Sequence, residues 1–250
     1  MSVKFVIVGA PRTGSTLLVK TLHGIDGVHC HGELLGDMVR GYEDGFDPLQ
    51  ATQEERQARA QRLINERGQD PLAFVHQALE FGERAGGFKA LYGVFHSPQW
   101  QPVMQALMDS TPLRFIHLVR GNELRRYVSE QVLRAGGPIH SLAGGRSDNK
   151  LQVTIDIADF ERARAAMCAE VDQMRELLSG REVLEASYEA LSSSTGPTVA
   201  GVCDFLGLAV DAAQVEPALK KVGSADLRDT VSNFEELLAH AATRELALSE

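Results

Sequence analysis

The chain has 250 residues, 44% of them hydrophobic, which suits one α/β domain with a sizeable core. Its formal net charge of −9 argues against general nucleic-acid binding, so an anionic ligand would need a local basic site. No apolar run has the length of a membrane helix, and no secretory signal precedes the first strand. Cys30, Cys168 and Cys203 lack zinc-type spacing, and we expect a cytoplasmic protein.

The chain opens with a buried strand predicted over residues 3–9, a turn, and a helix over residues 16–22. Gly9 and Gly14 have the spacing of the Walker A pattern, G-x-x-x-x-G-K-[ST]. Backbone N–H groups at a helix N-terminus are unpaired and carry partial positive charge, and a glycine lets the backbone approach an anion. The turn therefore predicts a phosphate-binding loop.

One position of this loop departs from the Walker pattern. Ser15 stands where the pattern has the lysine that reaches the β- and γ-phosphates of a nucleoside triphosphate, and Thr16 fills the hydroxyl position. Both hydroxyls can donate to a phosphate, and Arg12 can supply positive charge from inside the loop. The departure argues against hydrolysis of ATP or GTP.

Strands and helices alternate along the rest of the chain. Apolar spacing predicts strands over residues 27–30, 88–92, 113–119 and 182–187, and helices over residues 52–67, 71–84, 98–108, 123–134, 157–178, 197–206 and 217–250. This alternation predicts an α/β, P-loop-like three-layer fold with a central parallel sheet flanked by helices. We expect one domain over residues 1–250, with a helical insertion at about 34–85 and a mobile loop at about 136–149.

A basic segment follows the strand predicted over residues 113–119. Parallel sheets bind ligands outside the carboxyl ends of their strands, and Arg120 leaves this strand at that edge. Ser129 lies about two turns into the following helix. Alone, these residues suggest a surface salt bridge and an ordinary helix hydroxyl. Beside a phosphate loop on the same sheet, they favour binding of a second phosphate of one nucleotide.

A third polar group follows the short second strand. His31 and Glu33 are both candidate proton acceptors there, the alternatives being a loop histidine and a solvated carboxylate. The His-x-His pattern with one glutamate is too sparse for a metal site, and we expect no metal.

These motifs resemble those of sulfotransferases that use 3′-phosphoadenosine 5′-phosphosulfate (PAPS). Residues 11–18, Pro-Arg-Thr-Gly-Ser-Thr-Leu-Leu, resemble the 5′-phosphosulfate loop of that family, and residues 118–129 resemble its 3′-phosphate motif. The bacterial branch, which includes nodulation-factor sulfotransferases, has the motifs that these segments resemble most. Further segments that resemble that branch are residues 87–89, 187–191, 204–208, 219–222, 227–229 and 232–237.

The resemblance implies in-line transfer of a sulfuryl group from PAPS to an acceptor hydroxyl, with adenosine 3′,5′-bisphosphate as the other product and no metal. It assigns cofactor binding to Pro11, Arg12, Thr13, Gly14, Ser15, Thr16, Arg120, Ser129 and Tyr188. The chain lacks a clear copy of the Arg-Lys-Gly cofactor motif of the animal cytosolic branch, and Lys220 or Lys221 is the stand-in.

The same resemblance assigns the chemistry. A glutamate just after the second strand is the proposed base in some bacterial members, and Glu33 matches that place, with His31 as its competitor. Arg12 would hold the charge that grows on the bridging oxygen. Lys89 would contact the transferring group, unless it is a surface lysine.

Two other functions stay open. A P-loop kinase of a small metabolite is disfavoured by the missing lysine and by the lack of a clear acidic metal motif. A non-catalytic nucleotide-binding protein would keep the fold without the chemistry. Residues 34–67 and 136–149 are the expected acceptor walls, and acidic residues in the first of these favour a small-molecule, lipid or sugar acceptor over a polyanion: Asp37, Glu43, Asp44 and Asp47.

Overall fold

The computed structural model of this chain describes residues 2–137, 151–219 and 226–249. Most of the loop predicted over residues 136–149 lies outside these described residues, and so do Lys220 and Lys221.

Strands alternate with helices as predicted. The strands are β1 (Val3–Gly9), β2 (Val28–Glu33), β3 (Ala85–Leu91), β4 (Leu113–Val119) and β5 (Glu182–Ser187). The helices are α1 (Ser15–His23), α2 (Gln53–Gln69), α3 (Pro71–Leu79), α4 (Tyr92–His96), α5 (Gln101–Ser110), α6 (Glu123–Arg134), α7 (Ile157–Leu177), α8 (Tyr188–Ser193), α9 (Thr195–Phe205), α10 (Phe234–Ala239) and α11 (Ala241–Leu248).

Within the described ranges, five parallel strands form one sheet in the order β2-β3-β1-β4-β5. Central β1 is buried from Phe5 to Gly9, as expected for an apolar strand that is covered on both faces. Alternation along β1 sends Val6 and Val8 into a cluster with α3, α5 and α7. It sends Phe5 and Ile7 into a cluster with α1 and α9. The predicted α/β fold with a parallel sheet between helices is confirmed.

Two strands are longer than predicted. β3 begins at Ala85, because Gly86 and Gly87 belong to the strand and do not interrupt it. A Cβ at Gly87 would lie 2.4 Å from the ring of Phe5, so glycine there leaves room for a core side chain. β2 extends to Glu33, which places His31 inside the strand instead of after it.

The C-terminal segment differs from its prediction. The predicted helical tail is interrupted, with a 3₁₀ turn at Leu227–Asp229 followed by α10 and α11.

Among the described residues, none of the helices combines the length and the apolar character that a bilayer crossing requires.

Candidate functional site

The loop between β1 and α1 has the backbone conformation of an anion-binding turn. Gly14 precedes α1 in the left-handed region at φ 78°, and Arg12 also has a positive φ of 64°, which is uncommon for a residue with a side chain. Thr13 Oγ1 donates to the Ala10 carbonyl at 2.8 Å and tightens the turn. In the described part of the chain no side chain caps α1, so its first N–H groups point out of the helix end.

The two predicted phosphate-binding segments contact each other. Arg12 Nε donates to Ser129 Oγ at 2.9 Å, and Arg120 Nη1 donates to the Arg12 carbonyl at 3.0 Å. Burial lowers the pKa of both guanidinium groups from their ordinary value. Arg120 Nε is buried with no hydrogen-bond partner among the described residues, which leaves a donor that an anion can satisfy.

Tyr188 lies between these two segments. It follows β5, and its ring centroid is 4.3 Å from the Arg120 guanidinium carbon. A Cβ at Gly14 would come within 2.5 Å of Tyr188 Cδ2, so the ring packs directly on the phosphate loop. Tyr188 is thus in contact with both predicted phosphate segments.

Glu33 and Lys89 form a second polar group at the carboxyl ends of β2 and β3. Lys89 Nζ lies 2.8 Å from Glu33 Oε1 and 3.4 Å from Thr16 Oγ1 in the first turn of α1. Arg40 is more distant, with Nη1 3.9 Å from Glu33 Oε2. The Lys89 side chain is only 9% exposed, so it is a buried partner of the loop and not a surface lysine.

His31 does not join this group, and this corrects its prediction as an alternative base. The ring is fully buried, its Nε2 hydrogen-bonds to the Ala78 carbonyl at 2.9 Å, and its Nδ1 accepts from the Glu43 N–H at 3.0 Å. Burial lowers the pKa of His31 to about 4. Because both ring nitrogens are engaged inside the core, neither is available to a substrate. His31 stacks on Tyr42 and serves packing instead.

Sequence reasoning missed Asn122, which organises the segment after Arg120. Its side chain caps α6 by accepting from the Arg125 N–H at 2.9 Å. The same amide donates to the Leu246 carbonyl and to Ser249 Oγ, both at 2.8 Å, so it ties α11 to the phosphate segment. An asparagine directly before a predicted helix is the signal that identifies such a cap.

Metal ligands are not gathered anywhere in the described ranges, where no group of three or more His, Cys, Asp or Glu side chains has metal-binding geometry.

Comparisons with known proteins bear on the family and the fold of this chain. The chain matches the model of the sulfotransferase family over residues 5–212. The sulfotransferase domain from the curacin biosynthetic pathway is similar in structure, with a TM-score of 0.57 and 17% identity over 99% of this chain and 89% of that one. The sulfotransferase domain from the Synechococcus PCC 7002 olefin synthase has a TM-score of 0.53 and 20% identity, over 98% and 86% of the two chains.

At these identities the two structures establish likeness of fold alone, and no curated protein sequence matches the chain. The family match spans both polar groups of the site, from the phosphate loop after β1 to Tyr188 after β5. The chain therefore belongs to the sulfotransferase family.

Proposed function

We propose that this protein transfers a sulfuryl group from PAPS to a hydroxyl of a small-molecule, lipid or sugar acceptor, with Glu33 as the base. The observation that carries the proposal is the junction of the two arginine-bearing segments at the ends of β1 and β4. A hydrogen bond joins Arg12 to Ser129, and another joins Arg120 to the Arg12 carbonyl. A nucleotide with phosphates at two separate positions suits two linked basic segments better than a triphosphate chain does.

The residues present fit the 3′-phosphoadenosine 5′-phosphosulfate group. The uncapped end of α1 suits the 5′-phosphosulfate, which residues 11–16 would hold. The unpartnered buried Nε of Arg120 suits the 3′-phosphate, which Arg120 and Ser129 would hold. When bound, PAPS supplies the activated sulfuryl group, and its leaving group is a phosphate.

Each side chain of the site then has a distinct task. Arg12 and Lys89 place positive charge beside the first turn of α1, where negative charge increases in the transition state. Glu33 takes the proton of the acceptor hydroxyl, and its ion pair with Lys89 orients the carboxylate for that transfer. Thr16 links the two polar groups, because its hydroxyl lies within 3.4 Å of Lys89 Nζ.

The proposed acceptor wall at residues 34–67 has some of its acidic charge compensated by nearby cations. Glu43 pairs with Lys20, and Asp44 lies 2.7 Å from Arg59 Nη2. Two of its carboxylates are therefore compensated by cations. A neutral acceptor remains part of the proposal because the chain as a whole carries a net charge of −9.

Ligand binding is the first test. Adenosine 3′,5′-bisphosphate at about 100 times its Kd should stabilise the fold by about 2.7 kcal/mol, raising Tm by several degrees. 5′-AMP, which lacks the second phosphate, is the matched control and should shift Tm less. No shift with the bisphosphate at saturating concentration would sink the proposal. Stabilisation by ATP that requires Mg²⁺ would favour a kinase instead.

Transfer is the second test. The protein is incubated with PAPS labelled in the sulfuryl group and with a chemically diverse panel of alcohols, phenols, sugars and lipids. We expect label in at least one product, and the product identifies the acceptor. Binding of the bisphosphate without transfer to any acceptor would favour a non-catalytic nucleotide-binding protein.

A further inference from the structure

Glu189, in the first turn of α8, is bonded to the backbone beside Arg120. Its Oε2 accepts from the Gly121 N–H at 3.3 Å, and its Oε1 accepts from the Asn122 N–H at 3.2 Å. One carboxylate thus engages two consecutive backbone donors of the loop between β4 and α6. A Cβ at Gly121 would lie 3.9 Å from Glu189 Oε2, an ordinary van der Waals contact, so the approach does not depend on the glycine.

The register of the sheet explains why Glu189 lies at this loop. β4 and β5 are paired with Val119 opposite Ser187, so the residues after each strand leave the sheet side by side. Ser187 caps α8 by accepting from the Ala190 N–H at 3.1 Å, which fixes the first turn of that helix directly after β5. Tyr188 stacks on the Arg120 guanidinium, while Glu189 holds the backbone that follows it.

The carboxylate also determines where an anion can bind. Two successive backbone N–H groups beside an arginine are attractive to any phosphate. Glu189 occupies both of these donors, whereas the buried Nε of Arg120 has no hydrogen-bond partner among the described residues. A phosphate is thereby directed to the guanidinium and away from the loop backbone.

We propose that Glu189 is a positioning residue that sets selectivity for a nucleotide with a 3′-phosphate, by holding the backbone of residues 121–122 and reserving Arg120 for that phosphate. This inference rests on the proposed function, since it concerns the same nucleotide. Glu189 does not touch the ligand in this role. It acts through the loop that carries Arg120.

The test compares affinities for two ligands that differ only in the 3′-phosphate. Isothermal titration calorimetry gives Kd for adenosine 3′,5′-bisphosphate and for 5′-AMP, and their ratio measures selectivity. In Glu189→Ala we expect this ratio to fall by about tenfold, the size of one charge-assisted hydrogen bond. Glu189→Gln keeps one acceptor oxygen, so its selectivity ratio should lie between those of Glu189→Ala and the parent protein.

The control is Glu182→Ala. Glu182 also joins β5 to β4, through Arg114 at 2.7 Å, but it lies at the opposite end of both strands. A merely structural effect would lower Tm in both variants and leave the ratio unchanged.

The outcomes separate this inference from the proposed function. A parent protein that binds the two ligands equally overturns both. A selective parent protein whose selectivity survives Glu189→Ala, or increases, overturns the role of Glu189 alone. Should the alanine variant fail to fold, the same comparison is made with Glu189→Gln, and an unchanged ratio there overturns the role as well.

Discussion

The phosphate half of the candidate site lies at the ends of β1 and β4, in the middle of the sheet, whereas the Glu33 half lies at the end of β2, which is an edge strand. The central half has sheet neighbours on both sides and is braced by Tyr188. The edge half is covered by residues 40–41, whose backbone pairs with Gly32 and Glu33 at 2.7 and 2.8 Å.

This difference shows two ways of positioning a functional group. In the centre, a backbone turn and two strand ends position the arginines, so small changes there should affect ligand affinity. At the edge, the position of Glu33 depends on Lys89 and on an irregular segment between β2 and α2. Changes at the edge should affect turnover and leave nucleotide affinity intact.

The largest expected effect is on turnover at the edge. Glu33→Gln should lower kcat by about 10²–10⁴, because general-base catalysis contributes that factor, while Kd for the bisphosphate stays within about twofold. Glu80→Gln is the control, because Glu80 forms an ion pair with Lys4 outside the site. The distance between Lys4 Nζ and Glu80 Oε1 is 2.9 Å. Undiminished turnover in Glu33→Gln would show that another group is the base.

The next effect is on affinity at the centre. Arg120→Ala removes a cation and releases the Arg12 carbonyl, so Kd for the bisphosphate should rise by about 100-fold. Arg114→Ala removes an arginine from the opposite end of β4 and should leave that Kd unchanged. Calorimetric titration of both variants makes the comparison. Equal losses of affinity would mean that the effect is one of net charge.

A smaller effect is expected from the contact between the phosphate loop and Tyr188. Gly14→Ala places a Cβ 2.5 Å from the ring at φ 78°, whereas Gly45→Ala has φ 81° with no atom within 4 Å. Both variants incur the cost of placing alanine at a positive φ. The difference between their free energies of unfolding therefore measures the steric clash of the Gly14→Ala Cβ with the Tyr188 ring, which we expect to cost about 2 kcal/mol. Urea denaturation measures it. Equal losses would contradict the view that Tyr188 braces the loop rigidly.

The smallest effect concerns the pH dependence of stability, through His31 in the edge strand β2. The folded pKa of His31, about 4, lies below its ordinary value of 6.5, so between these values the unfolded chain binds a proton that the folded protein excludes. Stability is fully present above pH 6.5 and should fall by about 1 kcal/mol per pH unit below it.

Unfolding free energies at pH 7, 6 and 5 check this dependence. His31→Asn should reduce the slope of this profile, while His23 and His117, whose pKa values burial also lowers, retain part of it. A parallel slope in His31→Asn would assign the pH dependence to other groups.

Much of the fold is predictable because the strands have distinct compositions. The apolar runs of β1 and β4 stand between turn residues, and their predicted bounds agree with the structure. β3 was predicted too short, because a glycine pair ordinarily indicates a turn, and only the position of Phe5 across the sheet explains Gly87. β2 was predicted too short because His29, His31 and Glu33 lack β propensity, and burial of His31 overrides it.

The sequence by itself determined the strand-to-helix turn after β1 and the family, because the backbone of such a turn is specified by neighbouring residues such as Gly14 and Ser15. Only the tertiary structure decided which side chains of the site contact each other. The Arg12–Ser129 bond spans 117 residues, and packing of separate elements creates it, as it creates the Lys89–Glu33 pair. The tertiary structure also buries His31 in the core, whereas Glu33 lies at the edge of the sheet. Residue types indicate which chemistry is available, but burial and strand register select which side chains reach the site.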